Sequence, residues 1–278
     1  MKKLALITTA IFFAVAGQAI ASSDKIRIAT EGAYAPWNYK DSAGNLIGFE
    51  IDLAKDLCQR MKVECTIVEQ AWDGIIPALQ AGKYDAIMAG MSITDKRKKI
   101  ISFSRAYAST PAKFVVLKSS PNSSFKTMES DINLTEISDG EKASIGELVS
   151  KFKGKTVGVQ VATTHLNFLN EYMGKDVNIK IYDTQENLDL DLQAGRVDAA
   201  LASMSYWAPL LKGDKGKDMT AVGPNLTGGP FGAGVGVGIR QKDEKIVAMF
   251  TKAINESIAA GVASKLAIKH FGFDASVK

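Results

Sequence analysis

Two stretches, 79-LQAGKYDAIMAGMS-92 and 192-LQAGRVDAALASMS-205, share nine of fourteen residues at an offset of 113. Each reads as the end of a helix, a glycine turn, an acidic residue and a buried strand ending in small residues. A single Ala-Gly-x-x-Asp turn recurs by chance. Two copies half a chain apart point to two lobes of similar topology, at a period far too long for a solenoid. Outward from these copies, strand and helix patterns alternate. Lys25–Thr30 alternates as a strand, and Phe49–Met61 carries Ile51, Leu53, Ala54, Leu57 and Met61 at helical spacing. Strands are expected at 63–68, 84–89, 155–160, 177–182 and 197–202, with a helix at 74–81. Strands separated by helices of this length predict βαβ units, hence an α/β fold of mostly parallel sheets flanked by helices.

The stretch 119–150 breaks this rhythm. It is rich in Ser, Asn, Asp and Glu, and reads as a surface excursion with a short helix near 145–152. Glycines crowd 228–238 (GGPFGAGVGVG), where chain crossings or close backbone approach are expected. The C-terminal part, 243–270, reads as two helices with an apolar stripe of Ile246, Met249, Phe250 and Ile254.

The 278 residues are 46% hydrophobic and 23% charged, which excludes collagen-like, low-complexity and wholly disordered chains. Residues 1–21, MKKLALITTAIFFAVAGQAIA, combine Lys2 and Lys3, a 13-residue apolar run from Leu4 to Ala16 and the Ala19-Ile20-Ala21 cleavage pattern. This is the layout of a signal peptide, and the run is short of the roughly 20 residues a spanning helix needs. Ser22 and Ser23 offer no lipidation cysteine, so an exported, soluble, periplasmic protein is expected, with an N-terminal anchor as the alternative. The net charge of +4 becomes +2 without Lys2 and Lys3, too balanced and too evenly spread for a nucleic-acid partner. Cys58 and Cys65 lack metal-site spacing; an oxidising compartment favours a bridge between them, and two buried free thiols are the alternative.

Nothing in the chain demands an enzyme. Only His165 and His270 exist, and no nucleophile elbow, zinc-helix motif, Walker loop or dinucleotide fingerprint occurs in its required context. No catalytic residue, cofactor or metal is therefore assigned. Binding is better supported. Glu31-Gly32-Ala33-Tyr34-Ala35-Pro36-Trp37, Trp72-Asp73-Gly74 and Gly90-Met91-Ser92 through Arg97 all follow strand ends, where open α/β sheets take ligands. Aromatic, hydroxyl, Arg and Glu groups suit a small zwitterion with a basic end, and Arg97 suits a carboxylate. Thr163, Thr164 and His165 open a helix that could face an anion. The plainer alternative makes Tyr34 and Trp72 packing residues and Arg97 a solvated charge.

The strings ATEGAYAPW, GFEIDLAKDLCQRMKVEC, WDGIIPALQAGKYDAI and MSITDKRKKIISFS resemble the periplasmic solute-binding proteins of polar amino-acid ABC transporters. The likeness is nearest to the lysine/arginine/ornithine- and histidine-binding group with its octopine- and nopaline-binding relatives. It covers about 24–118 and 153–272. It implies a type II two-lobed fold with two hinge crossings: lobe one at 24–111 and 231–278, lobe two at 112–230 with the insert 119–150. It also implies a disulfide at the cysteine pair, ligand buried between the lobes of a monomer, and docking on an inner-membrane permease. A dehydratase on the same fold is the enzymatic alternative, with His165 and Glu31 as candidate acid–base groups.

Residue by residue, the resemblance gives Tyr34 and Trp72 the sandwiching of a ligand's aliphatic stem. Arg97 takes the α-carboxylate with Ser92 and Thr164 helping, and Glu31 takes a distal cation. Ala89 and Gly90 stand where some relatives have serine, so backbone contacts are expected there. One position departs from the pattern. Amino-acid binders place an aspartate for the α-ammonium near the end of the 197–202 strand, where this chain has Ser203. Serine cannot neutralise a buried ammonium, and an unpaired one costs several kcal/mol. A ligand whose α-nitrogen carries a second carboxylate-bearing substituent needs no such aspartate. Gln160 and His165 also resemble the opine-binding relatives and are expected to meet the extra carboxylate. The expected ligand is an arginine-derived opine, with a basic amino acid as the alternative.

Overall fold

The protein is described by a computed structural model covering residues 25–277; the expected signal segment 1–21 lies outside the described residues. Two sheets organise the chain. In the first, Lys25–Thr30 lies between Glu64–Glu69 and Ala86–Ile87, both parallel to it, with Ile28 opposite Ile67. Gly238–Ile239 and then Ser102–Phe103 complete it in antiparallel pairing. In the second, Thr156–Gln160 lies parallel to both Asn178–Tyr182 and Ala199–Ser203. Ala112–Leu117 and Met219–Thr227 follow in antiparallel pairing, and Asp131–Asn133 closes the edge. A small hairpin sheet, 33–47, sits beside the first.

The helices form where the apolar spacing predicts. Phe49–Met61 buries Phe49, Leu53 and Leu57 against the first sheet and ends at Lys62 in a left-handed conformation. The two C-terminal helices, Glu244–Ala259 and Val262–Phe271, meet at 79° and bury Phe250, Ile254 and Phe271 in the same core. Cys58 and Cys65 are bridged, tying the helix Phe49–Met61 to the strand it feeds. The second sheet has its own core around Phe114, Phe152, Phe168 and Leu201.

The repeat that opens the sequence falls at equivalent places. Both copies lead from a helix through a glycine turn into a central parallel strand, Ala86–Ile87 in the first sheet and Ala199–Ser203 in the second. The expected strand 84–89 pairs only at its centre. Met88 is buried and its amide still donates to the Ala29 carbonyl, while buried Ala89 lines the cleft.

The stretch 119–150 is not a loose excursion. It holds the edge strand Asp131–Asn133 and most of a 14-residue helix, Asp139–Phe152, which begins well before the expected short helix. Ile132, Leu134, Ile145 and Leu148 insert into the second core. The helix starts with a capping box, in which Ser138 accepts from the Glu141 amide and Glu141 accepts from the Ser138 amide. So few apolar residues in so polar a stretch hide the periodicity.

Two segments, 104–111 and 228–237, cross between the sheets side by side. The Tyr107 amide donates to the Val235 carbonyl and the Val235 amide to the Ala108 carbonyl, each at 2.8 Å. The glycines here serve close approach. A Cβ on Gly232 would sit 2.1 Å from the Ile93 carbonyl, and that residue's φ is +78°.

Candidate ligand-binding site

The site is built by strand ends. Glu31 follows Lys25–Thr30, Trp72 follows Glu64–Glu69, and Ala89, Gly90 and Ser92 follow Ala86–Ile87. From the second sheet, Gln160 and Ser203 are themselves the last residues of their strands. Thr164 and His165 begin the helix Thr164–Phe168, capped by the Thr163 hydroxyl. With Tyr34 and Arg97, all eleven candidate residues line one cavity between the halves.

The halves touch around that cavity. Gln160 Nε2 donates to Glu31 Oε1 at 2.6 Å. Trp72 Nε1 donates to the Val161 carbonyl at 3.0 Å, and Arg97 Nη2 to the Ala162 carbonyl at 3.2 Å. Tyr34 and Tyr206 stack at 4.8 Å with their planes 13° apart. Trp37 Nε1 reaches Ser205 Oγ at 2.9 Å. Ala162 adopts φ +56°, the left-handed region that L-residues avoid, and its carbonyl meets Arg97 there. Such a conformation costs on the order of 1 kcal/mol, and strained backbone of this kind clusters where ligands are gripped.

Arg97 is the cavity's one fixed cation among the described lining residues. Its guanidinium lies 5.2 Å from the Trp72 ring centroid, and its side-chain hydrogen bonds go to the carbonyls of Ser92 and Ala162. Burial without a facing carboxylate lowers its pKa to about 10, so it stays charged. This is a guanidinium prepared for an anion. Burial and the Arg97 charge push His165 down to about 3, which leaves a neutral imidazole at neutral pH. Its Nε2 lies 3.4 Å from Ser203 Oγ. Ser203 stands at the N-cap of the helix Met204–Lys212 but its hydroxyl caps nothing there.

Glu31 is the one carboxylate among the described lining residues. Burial raises it to about 7, opposed by the hydrogen bond from Gln160. Tyr34, whose phenol burial pushes up and hydrogen bonding to Ser203 holds down, stands neutral beside it.

Some of the expected site groups already have protein partners. The Gln160 amide group donates to Glu31 and to the Asp183 carbonyl, so both its N–H bonds are engaged beside the acidic group and none is left for an extra carboxylate. The Gly90 amide donates to Glu50, which leaves its carbonyl as the backbone group available in the cavity. Ser92 helps Arg97 through its carbonyl, and no hydrogen bond links Thr164 to that guanidinium among the described contacts. Sequence reasoning missed Gln185 and the Tyr206 and Ser205 partners on the far wall. Gln185 lines the cavity and donates to buried Asp189, whose other oxygen accepts from Tyr206. Their only sequence signal is a polar residue at a helix start and an aromatic after the second repeat.

Residues 26–273 match the sequence model of the bacterial extracellular solute-binding proteins, family 3. The chain is 46% identical to the octopine-binding periplasmic protein of Rhizobium meliloti, over 89% of this chain and 84% of that one. It is 39% identical to the histidine-binding periplasmic protein of Salmonella typhimurium, over 99% and 98% of the two chains. Among solved structures, a periplasmic His/Glu/Gln/Arg/opine family-binding protein from Silicibacter pomeroyi in complex with lysine superposes with a TM-score of 0.73 at 30% identity. That match covers 91% of this chain and all of the other.

Proposed function

We infer, from a chain that belongs to the bacterial extracellular solute-binding proteins of family 3, that it is the periplasmic amino-acid-binding component of an ABC importer and captures an arginine-derived opine. The observation that carries the ligand class is the charge inventory of the cavity. One carboxylate, Glu31, lines it with one guanidinium, Arg97, and the strand end expected to hold an aspartate holds Ser203. Glu31 meets the distal guanidinium of the ligand, with the Gln160 carbonyl oxygen beside it. Tyr34 and Trp72 cover the aliphatic stem. Arg97 takes one carboxylate, and the second carboxylate, near Ser203 and His165, neutralises the ligand's own α-nitrogen. The identity to an octopine-binding relative supports the same reading.

The mechanism is a clamp. Residues from both sheets touch one ligand, so ligand stabilises the arrangement in which the halves meet, and reopening on a membrane permease releases it unchanged. The lobe boundaries we assign are 24–111 with 231–278, and 112–230, with the crossings as hinges. A basic amino acid is the second reading, favoured by the Glu31–Gln160 pair, which serves a free arginine side chain equally well.

Titration calorimetry of the mature protein with octopine, nopaline and arginine tests this. Micromolar or tighter opine binding with much weaker arginine binding supports the opine. Tight arginine binding returns the protein to the basic amino-acid class.

A further inference from the structure

Glu50 has no exposed surface and no role in the clamp described so far. It lies in the first turn of the helix Phe49–Met61, where the helix dipole favours an anion. Three separate segments donate to it. The Gly90 amide reaches Oε1 at 2.8 Å, the Tyr107 hydroxyl bonds the same oxygen, and Asn38 Nδ2 reaches Oε2 at 2.6 Å. Asn38 passes the link on, since its Oδ1 accepts from the Gly32 amide at 2.8 Å, next to Glu31. Gly90 lines the ligand cavity, and Tyr107 belongs to a crossing between the sheets.

We propose that Glu50 is a positioning residue for ligand capture: an ionised carboxylate that fixes the Gly90 turn, the Gly32–Asn38 loop and the Tyr107 crossing in the arrangement binding requires. The assignment of charge follows from the partners. The Gly90 amide can only donate, and Asn38 presents its N–H because its Oδ1 is held by Gly32; these donors, with the Tyr107 hydroxyl, oppose the burial that pushes the Glu50 carboxyl up. An amide in its place cannot satisfy them. With its nitrogen toward Gly90, that N–H loses its acceptor. With its nitrogen toward Asn38, the Asn38 amide must turn over and release Gly32. Either way one wall of the cavity comes loose. The effect on affinity rests on the reading of that cavity as the ligand site.

The test is Glu50→Gln. Amide hydrogen exchange is read at Gly90 and Gly32 without added ligand, affinity is read by calorimetry with octopine and with arginine, and folding is read by denaturant unfolding. The expected result is cooperative unfolding, at least tenfold faster exchange at one of the two amides, and at least tenfold weaker binding of whichever probe the native protein takes up. Native exchange at both amides, or affinity within twofold of native, overturns the proposal. If neither probe binds the native protein, the function reading fails, and exchange alone decides the role of Glu50. If Glu50→Gln does not fold, Asn38→Ala reads one arm. Faster Gly32 exchange with weaker binding supports the brace, and native values of both overturn it. Tyr107→Phe removes a donor but leaves the carboxylate on both loops, so its two amides keep native exchange; acceleration there equal to that of Glu50→Gln assigns the effect to the crossing and overturns the proposal.

Discussion

Trp37 and Ser205 are 168 positions apart in the chain and 2.9 Å apart in the structure, the indole N–H donating to the hydroxyl. The indole is buried in the first core, edge-on to Phe49 and tilted against Phe271, while Ser205 belongs to a helix of the second half. One core side chain thus reports whether the halves meet. Trp37→Phe keeps most of the ring packing and removes the donor. A hydrogen bond of this kind contributes about 1 kcal/mol. Because it forms only when the halves meet, its loss weakens ligand binding by roughly fivefold. Small-angle scattering with saturating ligand is expected to show the same compaction as native protein, with calorimetry carrying the difference.

Arg97 lies on a four-residue helix, Asp95–Lys98, within a run of basic residues that sequence alone cannot tell from a solvated face. Its guanidinium is set apart by the Trp72 ring and by two carbonyls presented at fixed positions. Arg97→Ala removes a charged hydrogen-bond partner and is expected to weaken any carboxylate ligand by more than about 2 kcal/mol. Arg97→Lys does not restore binding, because a point charge cannot satisfy a forked geometry and stack on an indole together. Calorimetry on both variants checks this.

The Glu31 carboxyl, held at about 7 by burial, gives binding a pH dependence of known sign. A ligand guanidinium favours the ionised form, so it lowers this pKa, and below about pH 7 binding must release a proton. Affinity therefore falls as pH drops from 7 toward 5 and is level above 7. Glu31→Gln flattens this dependence and weakens binding at pH 8. Calorimetry in buffers of different ionisation enthalpy measures the released proton directly.

The sequence exposed most of the strand ends, because period-2 strands and glycine turns are local signals. Glu31 and Trp72 could therefore be placed before any coordinates, while Gln160 and Ser203 entered the site only through the family resemblance. It did not expose which partners these residues have already taken. Gln160 reads as a free amide until Glu31 and the Asp183 carbonyl stand beside it, and the backbone contacts expected at Gly90 do not reveal that its amide is taken by Glu50. Those partners lie 129, 23 and 40 positions away, outside any window of periodicity. The edge strand Asp131–Asn133 was hidden for a related reason: it pairs in parallel with Met219–Thr227, far along the chain.

Helix Asp139–Phe152 offers a stability test remote from the cavity. Ser138→Ala removes one half of the capping box, leaving the Glu141 amide without its acceptor. Such caps contribute about 1 kcal/mol. Urea unfolding of Ser138→Ala is expected to lose about that much with an unchanged slope and unchanged ligand affinity. That result would show that the polar stretch is part of the second core's cooperative unit.

Ser203→Asp tests the charge inventory itself. The position suits an anion, since it stands at the N-terminal end of Met204–Lys212, where the positive end of the helix dipole favours a carboxylate. The new carboxylate stands beside His165, whose Nε2 is 3.4 Å from the present hydroxyl, and supplies the negative charge that a free α-ammonium needs. It also repels a second ligand carboxylate. Binding of arginine is therefore expected to tighten and binding of octopine to weaken, moving their ratio by at least tenfold toward arginine. Competition calorimetry with the two ligands measures that ratio. An unchanged preference would mean that the α-nitrogen is met elsewhere in the cavity, and the argument from Ser203 to an opine would fail.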